Sequence, residues 1–135
     1  KKYADIRNEY AAVANTKSLP DICDISEEQY IVIEKNYWRF LPLYIYGVPI
    51  QKNLALCPNT AKIIELIPNK TTVFFSSIKP GTFIKPHRGA YKGYLRYHLG
   101  VQIPEPDSTC GLKILETVYH WHNGKSIIFD DTYLH

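Results

Sequence analysis

The sequence predicts a mainly β fold, a jelly roll or barrel with N-terminal helices packed on one side. Residues 71–135 form short β-branched and aromatic runs at regular spacing, separated by turn signals. Residues 1–70 hold the helical patterns and some mixed sequence. Because 135 residues with 45% apolar content suit one core, we expect a single domain over 1–135, with a helical or mixed part over 1–70 and a jelly-roll core over 71–135.

Two segments have the periodicity of amphipathic helices. In residues 1–14, apolar side chains recur at spacings of three and four. A stripe of isoleucines in residues 61–67 follows Asn59 and Thr60, either of which can serve as the N-cap. We therefore expect two helices, each with one buried stripe.

Strands are predicted where β-branched and aromatic residues run between turn residues. The dipeptide Asn123-Gly124 is a strong hairpin signal and is expected to join the last two strands. The predicted strands are 29–33, 37–46, 71–78, 83–87, 94–103, 110–120 and 126–129.

Composition excludes several classes of function. The net charge is +3 without a basic run, so nucleic acid is not an expected partner. No apolar run approaches the roughly 20 residues that cross a bilayer, so no membrane-spanning segment is expected in this chain. The three cysteines are distant and have no CxxC spacing, which argues against a disulfide framework or a zinc knuckle and favours a reducing compartment, the cytoplasm.

A strand near residue 96 carries an unusual pair of polar residues. Alternation along a strand places Arg96 and His98 on one face and Leu95, Tyr97 and Leu99 on the other, which we expect to be the core face. A guanidinium binds carboxylate or phosphate through two parallel hydrogen bonds. The pair therefore indicates an anion on a pocket wall, with a solvated strand face as the alternative.

His87 and His135 are candidate metal ligands because each lies at the end of a strand or turn. Two imidazoles are a common part of a mononuclear iron site, whose usual third ligand is a carboxylate two residues after the first histidine. That position is Gly89 here. On general chemistry alone, this glycine counts against iron.

Each of the other candidate polar residues can be interpreted either as part of a binding site or as a structural or surface residue. Ser76 can donate a hydroxyl to an anion or be a routine strand serine. His120 and His122 flank a tryptophan at a turn, and we interpret them as surface residues. Asp130 and Asp131 can bind metal, form a turn through their own backbone, or support the final histidine.

A series of short motifs runs through residues 37–135 in fixed order and spacing. Each motif is weak alone, but the combination is specific, and it resembles the aspartyl/asparaginyl β-hydroxylase family. The motifs are Cys57-Pro58-Asn59-Thr60, Pro80-Gly81-Thr82, Pro86-His87-Arg88-Gly89, Leu95-Arg96-Tyr97-His98-Leu99-Gly100, Trp121-His122-Asn123-Gly124 and Asp130-Asp131 with His135.

The resemblance implies an iron(II)- and 2-oxoglutarate-dependent oxygenase on a double-stranded β-helix, a jelly roll. Members of this family lack the acidic ligand and hold Fe(II) with two histidines, so Gly89 fits the family pattern. The resemblance implies His87 and His135 as the iron ligands. Arg96 and His98 would contact the 2-oxoglutarate carboxylate nearest the metal.

For the distal carboxylate, the resemblance implies Ser76 and an arginine some distance beyond the second histidine. This chain ends at His135. A buried carboxylate without its counter-charge is costly. We therefore expect a further C-terminal segment to supply the arginine and complete the oxygenase-like domain.

The implied reaction is hydroxylation of an unactivated carbon with dioxygen (O2). The first expected substrate is the β-carbon of aspartyl or asparaginyl residues in a protein or peptide. Relatives that hydroxylate a lipid acyl chain share the motifs, so a lipid substrate is one alternative. A non-catalytic jelly roll that binds a small acid or a protein partner is the other.

Overall fold

The computed structural model describes residues 1–16, 19, 20 and 37–135, which are mainly β with a few helices. They divide into two compact units, Lys1–Ile84 and Lys85–His135. The helices are α1 Lys2–Thr16, α2 Gln51–Leu54 and α3 Pro58–Glu65, with a short 3-10 helix at Asp107–Thr109. The strands are β1 Trp38–Ile45, β2 Val48–Pro49, β3 Val73–Ile78, β4 Arg96–Leu99, β5 Gly111–Ile114, β6 Thr117–His120 and β7 Ser126–Phe129.

The first unit is built on an antiparallel sheet with strand order β2-β1-β3. The pairing of β1 with β3 is irregular between Pro42 and Tyr44, in keeping with a proline that cannot donate to the sheet. The buried Asn53 side chain of α2 donates to the Pro42 carbonyl at 2.7 Å. This hydrogen bond holds α2 against β1. Leu41 and Leu43 of β1 are buried in the core of the unit.

Helix α1 is joined to α3 by the half-buried carboxylate of Glu9. Glu9 accepts hydrogen bonds from the backbone N–H of Asn59 (2.7 Å) and from the N–H and hydroxyl of Thr60 (2.8 and 2.6 Å). These donors belong to the first turn of α3, where backbone N–H groups have no partner within the helix. Helix α1 also packs on the sheet, since the Tyr10 and Phe75 rings are 5.3 Å apart.

The predicted N-cap of α3 is wrong. Cys57 is the N-cap, without a side-chain cap, and Pro58 is the first helical residue, a position that suits proline because its missing N–H is not needed there. Asn59 and Thr60 lie inside the helix and donate to Glu9 instead.

The second unit contains two antiparallel pairs, β4 with β7 and β5 with β6. The single strand predicted over 110–120 is therefore wrong, because the chain turns back at Leu115, whose φ is +52°. The hairpin predicted at Asn123-Gly124 is also wrong, since β6 and β7 pair with other strands. Gly124 does turn the chain, with φ of +73°.

The remaining strand predictions have mixed outcomes. The strand over 126–129 is confirmed with its bounds, and the helix over 1–14 and the strands over 37–46 and 71–78 are confirmed with shifted ends. The strand over 94–103 is reduced to β4, and 83–87 is not part of a regular strand. The predicted strand over 29–33 lies outside the described residues.

The predicted core face of β4 is wrong at two of its residues. Leu95 and Tyr97 are 71% and 58% exposed, whereas on the opposite face His98 packs against buried Phe129.

The jelly roll and the single domain over 1–135 stay predictions. No described helix is long and apolar enough to cross a membrane.

Replacing Glu9 tests the link between α1 and α3. Burial alone would raise the pKa of Glu9, but the hydrogen bonds from Thr60 and Asn59 outweigh it and the pKa is lowered. We expect Glu9→Gln to reduce the free energy of unfolding by about 1–3 kcal/mol in urea titrations at neutral pH. The difference should shrink as the pH falls through the lowered pKa, because the wild-type carboxylate is then protonated.

Glu65→Gln is the control, because Glu65 is an exposed carboxylate on α3, the helix that Glu9 contacts. It should change the free energy of unfolding by less than about 0.5 kcal/mol. Equal effects of the two substitutions would contradict the link.

Candidate active site

The two histidines at the candidate metal site are held together through their backbones. The His87 N–H donates to the His135 carbonyl at 2.9 Å, and the His135 N–H donates to the His87 carbonyl at 3.1 Å. This reciprocal pair is the arrangement of two directly opposed, hydrogen-bonded residues in antiparallel strands. The imidazole centroids are consequently only 4.4 Å apart.

Both rings are oriented by a carbonyl two residues earlier in the chain. Nδ1 of His87 lies 2.8 Å from the Lys85 carbonyl oxygen, and Nδ1 of His135 lies 2.9 Å from that of Tyr133. A carbonyl only accepts, so Nδ1 must carry the proton in each hydrogen bond. The neutral rings then leave both Nε2 lone pairs available, which is how carbonyl partners fix the tautomer of a metal-binding histidine.

This donor set fits a divalent transition metal such as iron(II), which imidazole nitrogen suits. Across residues 1–16, 19, 20 and 37–135, no group of three or more histidine, cysteine or acidic side chains is arranged to hold a metal. The described residues therefore offer two neighbouring imidazoles without an acidic third ligand. Their assignment as iron ligands stays a prediction.

Gly89 explains why no carboxylate follows the first histidine. Its N–H donates to the Asp131 carbonyl at 2.6 Å, and a Cβ at position 89 would overlap the Asp131 carboxylate. The space that an acidic side chain at position 89 would need is thus filled by Asp131, which is only 6% exposed.

Asp131 also orients the predicted anion-binding arginine. Nε of Arg96 donates to the Asp131 carboxylate at 2.7 Å, and the Arg96 side chain is 46% exposed. This bond uses one of five guanidinium N–H groups and leaves the terminal nitrogens for a ligand. This contact was missed from the sequence, where only metal binding, a turn or support of the final histidine was considered for Asp131. The contact depends on the β4–β7 pairing, in which Arg96 lies opposite Phe129.

His98 lies between two aromatic rings. Its centroid is 6.0 Å from that of Trp121, nearly stacked, and 4.9 Å from that of Phe129, perpendicular. Burial, followed by the electrostatic influence of Arg96 and then of His135, lowers the pKa of His98 to about 4, with Asp131 opposing them. The imidazole is therefore neutral near pH 7 and can donate a hydrogen bond without adding charge.

Ser76 belongs to β3 in the first unit, and its role towards a distal carboxylate stays a prediction. Its hydroxyl oxygen accepts a hydrogen bond from Trp38 Nε1 at 2.7 Å, which leaves the hydroxyl proton available for an acceptor.

His120 and His122 are exposed, as the surface interpretation predicted. Nδ1 of His120 contacts the Cys110 carbonyl, and Nδ1 of His122 contacts the Asp107 carboxylate.

Asp130 forms a turn of its own. Its carboxylate accepts from the Thr132 N–H (2.9 Å) and hydroxyl (2.7 Å), and these hydrogen bonds lower the pKa of Asp130. The turn interpretation of Asp130 is therefore confirmed. It shapes the segment that leads from β7 to His135.

Together these contacts define a class of site: two imidazoles with free Nε2 atoms beside an oriented arginine and a neutral histidine. The whole chain, residues 1–135, matches the family model described as Aspartyl/Asparaginyl beta-hydroxylase. The chain therefore belongs to the aspartyl/asparaginyl β-hydroxylase family, a family of hydroxylases. The resemblance seen in the sequence motifs is confirmed.

Curated relatives carry hydroxylase names. An "Ornithine lipid ester-linked acyl 2-hydroxylase" of Rhizobium tropici is 39% identical over all of this chain and 48% of its own length. The human "Aspartyl/asparaginyl beta-hydroxylase" is 31% identical over 76% of this chain and 14% of its own. "Aspartate beta-hydroxylase domain-containing protein 2" of Xenopus tropicalis is 32% identical over 73% and 27%. The chain thus spans about half the length of the first and less of the others.

Gly89→Ala tests the close approach of Asp131. We expect the free energy of unfolding to fall by about 1–3 kcal/mol, because the added methyl group overlaps the Asp131 carboxylate. In an Asp131→Gly background the same change should cost clearly less, and a double-mutant cycle in urea measures the difference.

The control is Gly111→Ala in β5, where an added Cβ would meet its nearest neighbour at an ordinary 3.4 Å. Identical costs of Gly89→Ala with and without Asp131 would show that the two residues are not in contact.

Proposed function

We propose that this chain is the catalytic part of an iron(II)- and 2-oxoglutarate-dependent hydroxylase. The observation that carries the proposal is the His87–His135 pair, whose backbones are hydrogen-bonded and whose Nδ1 atoms each face a backbone carbonyl, so that Nε2 is the nitrogen each ring offers to a metal. Membership of a hydroxylase family supports the reaction type. The net reaction converts a C–H bond, O2 and 2-oxoglutarate into a C–OH group, succinate and carbon dioxide.

His87 and His135 would hold the iron through Nε2. Bound iron(II), with 2-oxoglutarate, supplies the activation of dioxygen that this oxidation requires. The chain's own residues fix the two ligands. The carbonyls of Lys85 and Tyr133 orient the imidazoles, and Phe129, whose ring centroid is 5.5 Å from that of His135, lines the site with an apolar surface.

Arg96 and His98 would bind the 2-oxoglutarate carboxylate nearest the metal. The bond to Asp131 leaves the terminal nitrogens of Arg96 ready for a carboxylate, with little side-chain entropy left to lose. His98 is kept neutral and held between Trp121 and Phe129, so it can add a hydrogen bond. Ser76 would help to bind the distal carboxylate.

For the substrate, we infer an acyl chain of a lipid. The supporting observation is the similarity to the Rhizobium tropici acyl 2-hydroxylase, which covers the whole of this chain. The second candidate is the β-carbon of aspartyl or asparaginyl residues, which was the first expectation from the sequence. It is supported by the similarity to the human aspartyl/asparaginyl beta-hydroxylase, which is lower in identity and covers 76% of the chain. The two substrates are chemically alike, since each offers a CH2 group bonded to a carbonyl carbon.

His87→Ala tests the proposal against a non-catalytic binding module. We expect the variant to lose manganese(II) binding in calorimetry, and iron-dependent succinate release to fall at least about a hundredfold, because a lone imidazole is a weak ligand set. Succinate release is measured with a dispersed acyl ester and, separately, with an aspartyl peptide. The supplied substrate that stimulates release identifies the substrate class.

His120→Ala is the matched control, since His120 is an exposed histidine on β6. It should keep both metal binding and succinate release. Undiminished succinate release by His87→Ala would refute the ligand assignment, and metal binding by the wild type without succinate release on either substrate would favour the binding module.

A further inference from the structure

A loop with three large exposed side chains lies between the first candidate ligand and β4. Tyr91, Tyr94 and Leu95 are 63%, 48% and 71% exposed. Within the described residues, no hydrogen bond ties residues 90–95 to the rest of the chain. The segment just before it is fixed, since Arg88 donates to the Thr132 carbonyl at 2.9 Å. We call residues 90–95 the 90–95 loop.

Positive charge is concentrated in the part of the sequence that contains this loop. Residues 66–104 contain six lysines and arginines and no acidic residue, whereas the remainder of the chain has ten basic and thirteen acidic residues. Asp131 is paired with Arg96, and the carboxylate of Asp130 lies near enough to Lys92 for that charge to contribute to the lowering of its pKa. Lys85 and Arg88 add charge beside the loop.

Exposed tyrosines and a leucine among basic residues have the chemistry of a membrane-interface segment. Tyrosine is enriched at the headgroup level because its ring is apolar and its hydroxyl is polar. Lysine and arginine are attracted to anionic lipid, and an inserted leucine gains from leaving water. An acidic peptide would satisfy the cations but would leave Leu95 and the tyrosine rings in water.

We propose that the 90–95 loop docks on the surface of an anionic lipid bilayer. The inference rests on the acyl-chain form of the proposed function and adds to it how the enzyme reaches its substrate. The loop directly follows the segment that carries His87 and directly precedes Arg96. Docking there brings both residues towards the lipid boundary, where the ester carbonyl and the second carbon of an acyl chain lie.

Vesicle sedimentation with the metal-free protein tests the docking apart from catalysis. The wild type should bind vesicles of equal parts phosphatidylglycerol and phosphatidylcholine at least about tenfold more tightly than vesicles of phosphatidylcholine alone. The triple variant Tyr91→Ser/Tyr94→Ser/Leu95→Ser should weaken binding to the mixed vesicles at least about tenfold. Lys92→Glu should weaken it at least about threefold, and added salt should reduce the difference.

The controls change exposed residues of the same unit outside the loop. Val118→Ser/Tyr119→Ser on β6 matches the apolar change, and Lys125→Glu matches the charge change. Both controls should bind the mixed vesicles as the wild type does. Circular dichroism melts of all variants confirm that each is folded before its binding is compared.

The outcomes separate the docking from the proposed function. His87→Ala should still bind the mixed vesicles although its succinate release is strongly reduced, and the triple variant should still release succinate with a dispersed acyl ester. No binding of the wild type to the mixed vesicles, or equal loss in loop and control variants, overturns the docking even if succinate release is normal. Loop-dependent binding to an aspartate-rich peptide without vesicle binding would overturn it in favour of a protein partner.

Discussion

The reciprocal backbone hydrogen bonds between His87 and His135 are the constraint on which the candidate site depends. They bring together two residues from distant parts of the chain and bring their imidazole centroids to 4.4 Å. Each ring is then turned by a carbonyl that lies two residues earlier. Position and tautomer are thus both fixed by backbone groups, so the geometry of the pair does not rely on mobile side chains.

Asp131 connects this pair to the predicted cosubstrate site. Its carbonyl accepts from Gly89, its carboxylate fills the space above that glycine, and the same carboxylate holds Arg96. An acidic side chain at position 89 and a carboxylate at position 131 therefore cannot coexist in this arrangement. The glycine that seemed to argue against iron is required by the residue that orients the arginine.

Local patterns predicted α1, β1, β3 and β7, because their periodicity and flanking turns are contained in the segments themselves. The pairings β4–β7 and β5–β6 were missed, since pairing depends on distant partners and on the positive φ of Leu115. The contact between Asp131 and Arg96 was missed for the same reason. The closeness of His87 and His135 was expected from motif order in a known family and not from their spacing, and their role as metal ligands stays a prediction.

The two-histidine site is tested most directly by the protonation of His87 and His135 in the metal-free protein, read from 15N–1H couplings of the imidazoles by NMR at mildly alkaline pH. We expect protons on Nδ1 of both rings and bare Nε2 atoms, and zinc(II), a diamagnetic substitute for iron(II), should shift both Nε2 signals together. A proton on Nε2 of either ring, or zinc-induced shifts confined to His120 and His122, would contradict the two-histidine site.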